Sequence, residues 1–194
     1  QNSPWPGQQT GQNSGGPVWP SQPTQPQQPV WPGQASQPTA PGWPGQNPPA
    51  PPQQSLKVPH VMKLQNGICD KMLITIKGQI KPNPNKFTIN LTRGKDIAFH
   101  FNPRFNESGN KVIVRNSLLG GRWGREERAL NRFPFTPGEP FELKILCTHD
   151  EFKVAVNKSH LLEYKHRVRE LNTFTALGIY NDITLTSVNV DKLP

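Results

Sequence analysis

The chain has 194 residues, with 22 Lys and Arg against 13 Asp and Glu for a net charge of +9, 23 prolines and only two cysteines. Two cysteines are too few for a disulfide-scaffolded secreted module, and no apolar run approaches the ~18 residues of a membrane span. No charged-then-apolar leader opens the sequence, which predicts synthesis in the cytosol, both thiols reduced and buried, and bare sequons at Asn90, Asn106 and Asn157.

Residues 1–54 contain no Lys, Arg, Asp or Glu and consist almost wholly of Pro, Gln, Gly, Ser, Thr, Asn, Ala and Trp. Such a stretch cannot bury enough apolar surface to offset chain entropy, so it is expected to be a disordered tail with local polyproline-II character. Trp-Pro motifs recur at Trp5, Trp19, Trp31 and Trp43, with spacings of 14, 12 and 12 that are too short and proline-rich for a solenoid. Rings held at intervals on an uncharged chain are sticky groups without a core, which points to weak self-association or docking rather than an inert spacer.

Residues 55–194 carry the whole net charge and are numerous enough to bury a core. Period-2 alternation predicts strands at 72–80, 86–91, 96–101, 111–116, 141–146, 152–156 and 183–190, separated by turns such as Pro82-Asn-Pro84 and Pro137-Gly138. No helical period persists over ten residues. Strands at this interval without helical crossovers predict an all-β, antiparallel β-sandwich after the tail.

The segment Asp96-Ile-Ala-Phe-His-Phe-Asn-Pro-Arg-Phe-Asn-Glu107 carries the first candidate chemistry. On a strand, Ile97, Phe99, Phe101 and Pro103 point into the core, while Ala98, His100, Asn102 and Arg104 share the other face. A single polar residue on an outward face is ordinarily just solvated. Three different polar types in register, with Pro103 removing a ladder hydrogen bond beside them, favour a recognition surface. In Gly120-Gly-Arg-Trp123-Gly-Arg-Glu126-Glu127-Arg128 the glycines and flanking charges expose Trp123 at a sheet edge. Strand parity sets Trp123 opposite to Glu126 and Arg128, so a bend is needed to bring the three together.

In order, type and spacing, His100-x-Asn102-x-Arg104, Asn116 and Trp123-x-x-Glu126-x-Arg128 resemble the galectin signature, and galectin-like strands extend from about Val58 to Leu193. With its Pro/Gly-rich tail before a single such domain, the chain is similar to chimera-type galectins. The resemblance implies a jelly-roll lectin domain over 55–194 that binds β-galactosides on glycoproteins and glycolipids, with no enzymatic activity, cofactor or metal. It implies that Trp123 is the stacking platform, that His100, Asn102 and Arg104 surround an axial 4-hydroxyl, that Asn116 and Glu126 hold a 6-hydroxyl, and that Glu126 and Arg128 reach the next sugar. It further implies tail-mediated self-association, and cytoplasmic, nuclear and non-classically secreted pools. Two departures stand out: the tail repeats centre on Trp where the family more often shows Tyr, and Lys86 replaces an Arg flanking an extended subsite.

Other classes fit less well. Glu126 and Glu127 point oppositely on a strand, and an Arg–Glu–Arg arrangement around Glu126 keeps it ionised, both unsuited to glycoside hydrolysis. Cys147-Thr-His149 is too short a coincidence for zinc. Basic residues are dense only at Arg122, Arg125 and Arg128 and in Lys165-His-Arg-Val-Arg169, interleaved with acids, which speaks for solvated faces rather than direct nucleic-acid binding.

Overall fold

Short alternating runs bounded by turn residues leave each strand with one apolar face, and two sheets meet to bury them. In the computed structural model, which describes residues 55–194, the strands are β1 (His60–Lys63), β2 (Met72–Ile80), β3 (Phe87–Arg93), β4 (Asp96–Glu107), β5 (Asn110–Leu119), β6 (Arg122–Trp123), β7 (Pro140–Cys147), β8 (Glu151–Val156), β9 (Ser159–Lys165), β10 (Ala176–Asn181) and β11 (Ile183–Lys192). They form a six-stranded sheet, β1-β10-β3-β4-β5-β6, and a five-stranded sheet, β11-β2-β7-β8-β9. Every recorded strand pairing is antiparallel. The disorder and Trp-repeat readings for 1–54 lie outside the described residues.

Aromatic pairs tie the sheets together. Phe99 of β4 stacks on Phe152 of β8 at 4.9 Å and meets Tyr164 of β9 at 4.9 Å. Phe87 of β3 stacks on Phe141 of β7 at 5.6 Å, with Phe135 edge-on to both. These large rings supply much of the buried area, and their offset and edge-to-face geometry suits the ring quadrupoles.

The seven predicted strands are present, most of them a residue or two longer. β1, β6, β9 and β10 are not visible in the alternation, β6 because it is only two residues long and the others each for a physical reason. In β9 the adjacent Leu161 and Leu162 are both buried, so the period of two fails there. β10 carries Gly178 in mid-strand, normally a weak strand residue. The Tyr180 ring covers that glycine, and a Cβ at 178 would collide with it. β1 is only four residues long at the sheet edge.

Both cysteines are free, Cys147 buried as expected but Cys69 only half-buried. Burial pushes the Cys147 thiol up to about 12, so it stays protonated and unreactive. Among the described residues no helix is long and apolar enough to cross a membrane.

Candidate functional site

The outer face of the six-stranded sheet gathers the polar residues, beginning with β4. His100 lies opposite Asn116 of β5, Asn102 opposite Val114 and Arg104 opposite Val112. His100, Asn102, Arg104 and Asn116 therefore share one face, while Phe99 and Phe101 are fully buried on the other. Pro103 sits in the middle of the sheet, where a missing N–H should leave a ladder carbonyl unpaired. The Phe105 amide donates to the Asn85 carbonyl, so by register residue 103 should donate to Phe87. The Asn102 side chain does so instead: its Nδ2 donates to the Phe87 carbonyl at 2.9 Å and to Thr88 Oγ1 at 3.0 Å. Its Oδ1 accepts from Arg104 Nε at 2.9 Å, which aims the guanidinium. The Asn-Pro dipeptide thus repairs the ladder and orients Arg104 in one step.

Three register shifts complete the face. The first lies on β4, where Ile97 to His100 spans only Leu118 to Asn116 on β5. This extra residue reverses the expected sides of Ile97 and Ala98: Ala98 joins the core and Ile97 is half-buried on the outer face. A second shift lies between Arg104 and Glu107. Simple alternation would send Glu107 inward with Phe105, but the shift turns it out beside Arg104. The third follows β6: Trp123 lies opposite Leu118 and Glu127 opposite Arg115, four steps of chain against three on β5. This is the bend that parity demanded. Glu127 turns inward to Arg167, and its neighbours Glu126 and Arg128 turn out to the face that holds Trp123.

Trp123 is half exposed, and its ring centroid lies 4.9 Å from that of His100. A chain of charges runs beside it. Arg104 Nη1 donates to Glu107 Oε2 (2.6 Å), Arg128 Nη1 to Glu107 Oε1 (2.7 Å), and Arg128 Nε to Glu126 Oε1 (2.7 Å). The carboxylate between two arginines is therefore Glu107, not Glu126 as the sequence suggested. Hydrogen bonds from Arg128 and Arg104 hold the Glu107 carboxyl down to about 2, and those to Glu107 and Glu126 raise Arg128 above its ordinary value. Lys86 lies opposite Arg104 on the exposed continuation of the β3 side, extending the row beyond Arg104.

Burial holds His100 down to about 4, with Arg104 adding to the effect, so the imidazole is neutral near pH 7. Asn90, directly opposite on β3, places its Oδ1 2.7 Å from His100 Nδ1. The proton then resides on Nδ1, and Nε2 is left as an acceptor on the outer face. The arrangement presents an open aromatic ring, an acceptor at His100 Nε2, carboxylate acceptors, and two pre-aimed guanidinium forks. Such a set fits a ligand with a C–H face and hydroxyls at its edge.

The structure brings all eight sequence-selected residues to this face: Lys86, His100, Asn102, Arg104, Asn116, Trp123, Glu126 and Arg128. Sequence reasoning missed Asn90 and Glu107, which orient them. Asn90 stood on a recognised strand, and only the β3–β4 pairing could have exposed it; Glu107 was hidden by the register shift. Among the described residues no group of three or more His, Cys, Asp or Glu could hold a metal ion.

The galactoside-binding lectin family matches residues 59–190. Mouse galectin-3 is 50% identical over 138 residues, covering 71% of this chain and 52% of the mouse protein. Human galectin-4 is 42% identical over 142 residues, covering 72% of this chain and 43% of that protein. The chain spans about half the length of the curated galectin-3 relatives it matches. Among solved structures, sheep galectin-11 in complex with glycerol aligns with a TM-score of 0.64 and 28% identity, over 71% of this chain and all of that one.

Proposed function

Because the chain belongs to the galactoside-binding lectin family, whose members bind carbohydrate without catalysis, we propose that its outer-face groove holds the galactose of lactose and N-acetyllactosamine units on glycoproteins and glycolipids. The observation that carries this reading is the half-exposed Trp123 ring beside a row of polar groups whose orientations are already set. Galactose differs from glucose by an axial 4-hydroxyl, which leaves one face free for stacking on Trp123. His100 Nε2, Asn102 and Arg104 surround that hydroxyl. An equatorial hydroxyl would leave His100 and Arg104 unpaired at ~1–3 kcal/mol each, enough to discriminate against glucosides. Asn116 and Glu126 hold the 6-hydroxyl, Glu126 and Arg128 reach the next sugar, and Lys86 flanks an extended subsite.

A disaccharide of about 23 heavy atoms at roughly −0.3 kcal/mol per atom gives about −7 kcal/mol, a Kd on the order of 10 µM. Affinity this modest makes multivalency the route to function. In this reading residues 55–194 form the carbohydrate-recognition domain. Residues 1–54 form a tail that cross-links glycoconjugates by self-association, and the protein works in cytoplasmic, nuclear and non-classically exported pools.

The test is retention on lactose-agarose and elution by free lactose, beside Trp123→Ala and Arg128→Ser. Retention of both variants would remove the proposed site. A polyanion reading is favoured only if binding falls steeply between 50 and 500 mM salt, since counterion release governs that class whereas sugar binding is nearly salt-independent.

A further inference from the structure

The basic run Lys165-His-Arg-Val-Arg169, read from sequence as a solvated patch, is turned inward at its centre: His166 meets Phe152 edge-on, Val168 packs against the core, and Arg167 reaches toward the groove. Arg167 follows β9, and its guanidinium is partly buried over the Tyr164 ring at 4.7 Å. Its Nη1 donates to Asn116 Oδ1 (2.9 Å), and its Nη2 donates to the Arg125 carbonyl (2.8 Å) and to Glu127 Oε2 (2.9 Å). Arg167 thus grips both flanks of the loop that carries Glu126, and it grips Asn116 itself.

The grip on Asn116 has chemical content. The Asn116 side chain is almost fully buried, so its amide has few alternatives. Oδ1 accepts from Arg167 and from the Ser117 amide at 2.7 Å, while Nδ2 donates to the Gly124 carbonyl at 2.9 Å. Turning the amide over would set Nδ2 against two N–H donors and Oδ1 against a carbonyl. An asparagine is symmetric in shape but not in polarity, and Arg167 removes the choice: the second Nδ2 proton is the one left for a ligand. Gly124 permits the approach, because a Cβ there would stand 2.9 Å from Arg167 Nη1 and 3.2 Å from Asn116 Oδ1.

We propose that Arg167 is a positioning residue for galactoside specificity, fixing Asn116 as a hydrogen-bond donor opposite the acceptor Glu126, so that this end of the groove selects a hydroxyl, which is both acceptor and donor. The proposal rests on the reading that Asn116 and Glu126 meet the galactose 6-hydroxyl. Arg167 acts through Asn116, whose amide it orients.

The experiment measures, by calorimetry or fluorescence, the affinities of the full chain for methyl β-lactoside and for its 6′-deoxy analogue, which lacks the galactose 6-hydroxyl, in wild type, Arg167→Lys, Gly124→Ala and Arg169→Lys. Lysine keeps the charge but cannot reach three acceptors with a planar fork. Arg167→Lys is expected to weaken methyl β-lactoside binding about 5- to 10-fold, the loss of one well-placed hydrogen bond, and to leave the weaker 6′-deoxy analogue unchanged. Gly124→Ala is expected to do the same by wedging Arg167 from Asn116, so the outcome does not hang on one variant. Arg169→Lys, in the same basic run but exposed, is expected to change nothing. Equal losses for both sugars would make Arg167 a structural strut and overturn the proposal, as would no loss for either. A wild type that binds neither sugar would instead refute the galactoside reading, and one that binds both equally would refute the 6-hydroxyl contact and the proposal with it.

Discussion

The pairing of Asn102 with the carbonyl that Pro103 cannot serve makes a sharp energetic prediction. In Asn102→Ala three side-chain hydrogen bonds disappear, but they are not equal. Thr88 Oγ1 keeps Asn181 Oδ1 at 3.2 Å, and the Arg104 guanidinium is about one-third exposed and can turn to water. The Phe87 carbonyl belongs to a fully buried residue in mid-sheet, so its loss of a partner costs about 2 kcal/mol. Adding about 1 kcal/mol for the remaining contacts gives ~3 kcal/mol, or a fall in Tm of roughly 12 °C for a domain of this size. Asn102→Ala/Pro103→Ala restores an N–H at 103 facing the Phe87 carbonyl. The double variant should regain about 1.5 kcal/mol, some 6 °C, relative to Asn102→Ala alone, with Pro103→Ala itself within about 1 kcal/mol of wild type. Lactose binding should not return, because Arg104 stays unaimed. Urea denaturation and thermal melts of the four proteins close the cycle. A double variant no more stable than Asn102→Ala would refute the claim that Asn102 replaces the proline's ladder bond.

Other outcomes follow from the same geometry. His100 is held down to about 4 against an ordinary 6.5, so the unfolded chain takes up the proton first; stability should be intact above pH 6.5 and decline as pH falls toward 4, while lactose binding persists until the folded imidazole protonates near 4. Asn90→Asp sets a carboxylate against His100 Nδ1 and should raise that folded value by about 1–2 units, shifting the acid limb of lactose binding upward, as followed by NMR titration and binding at each pH. Glu107→Ala frees both Arg104 and Arg128 and should weaken lactose binding roughly ten-fold while hardly moving Tm, because the pairs are partly exposed. Deleting residues 1–54 should abolish agglutination of glycan-bearing cells and leave lactose affinity nearly unchanged; loss of both would refute the division of labour.

The legibility of this protein varied from residue to residue. His100, Asn102 and Arg104 were readable because three polar side chains at spacing two on an apolar strand can only share a face. Trp123 was readable as exposed because glycines and charges flank it. The central role of Glu107 was not readable, since strict alternation assigns it to the core side and only the shift after Arg104 reverses that. Asn90 and Arg167 were unreadable for a different reason: each lies on or beside another strand, and its partner depends on which strands become neighbours. β9 and β10 were missed where adjacent leucines, or a glycine covered by a tyrosine, replaced alternation with a tertiary solution.

By itself the sequence determined the all-β class, the face of β4 that carries chemistry, and the residue types at the groove, because side-chain alternation is a local property of extended backbone. Tertiary structure alone decided how those residues converge. Each of the three register shifts inserts one residue against a neighbouring strand, and whether an inserted residue bulges, and which side it sends its successors to, is set by hydrogen bonding between strands rather than within one.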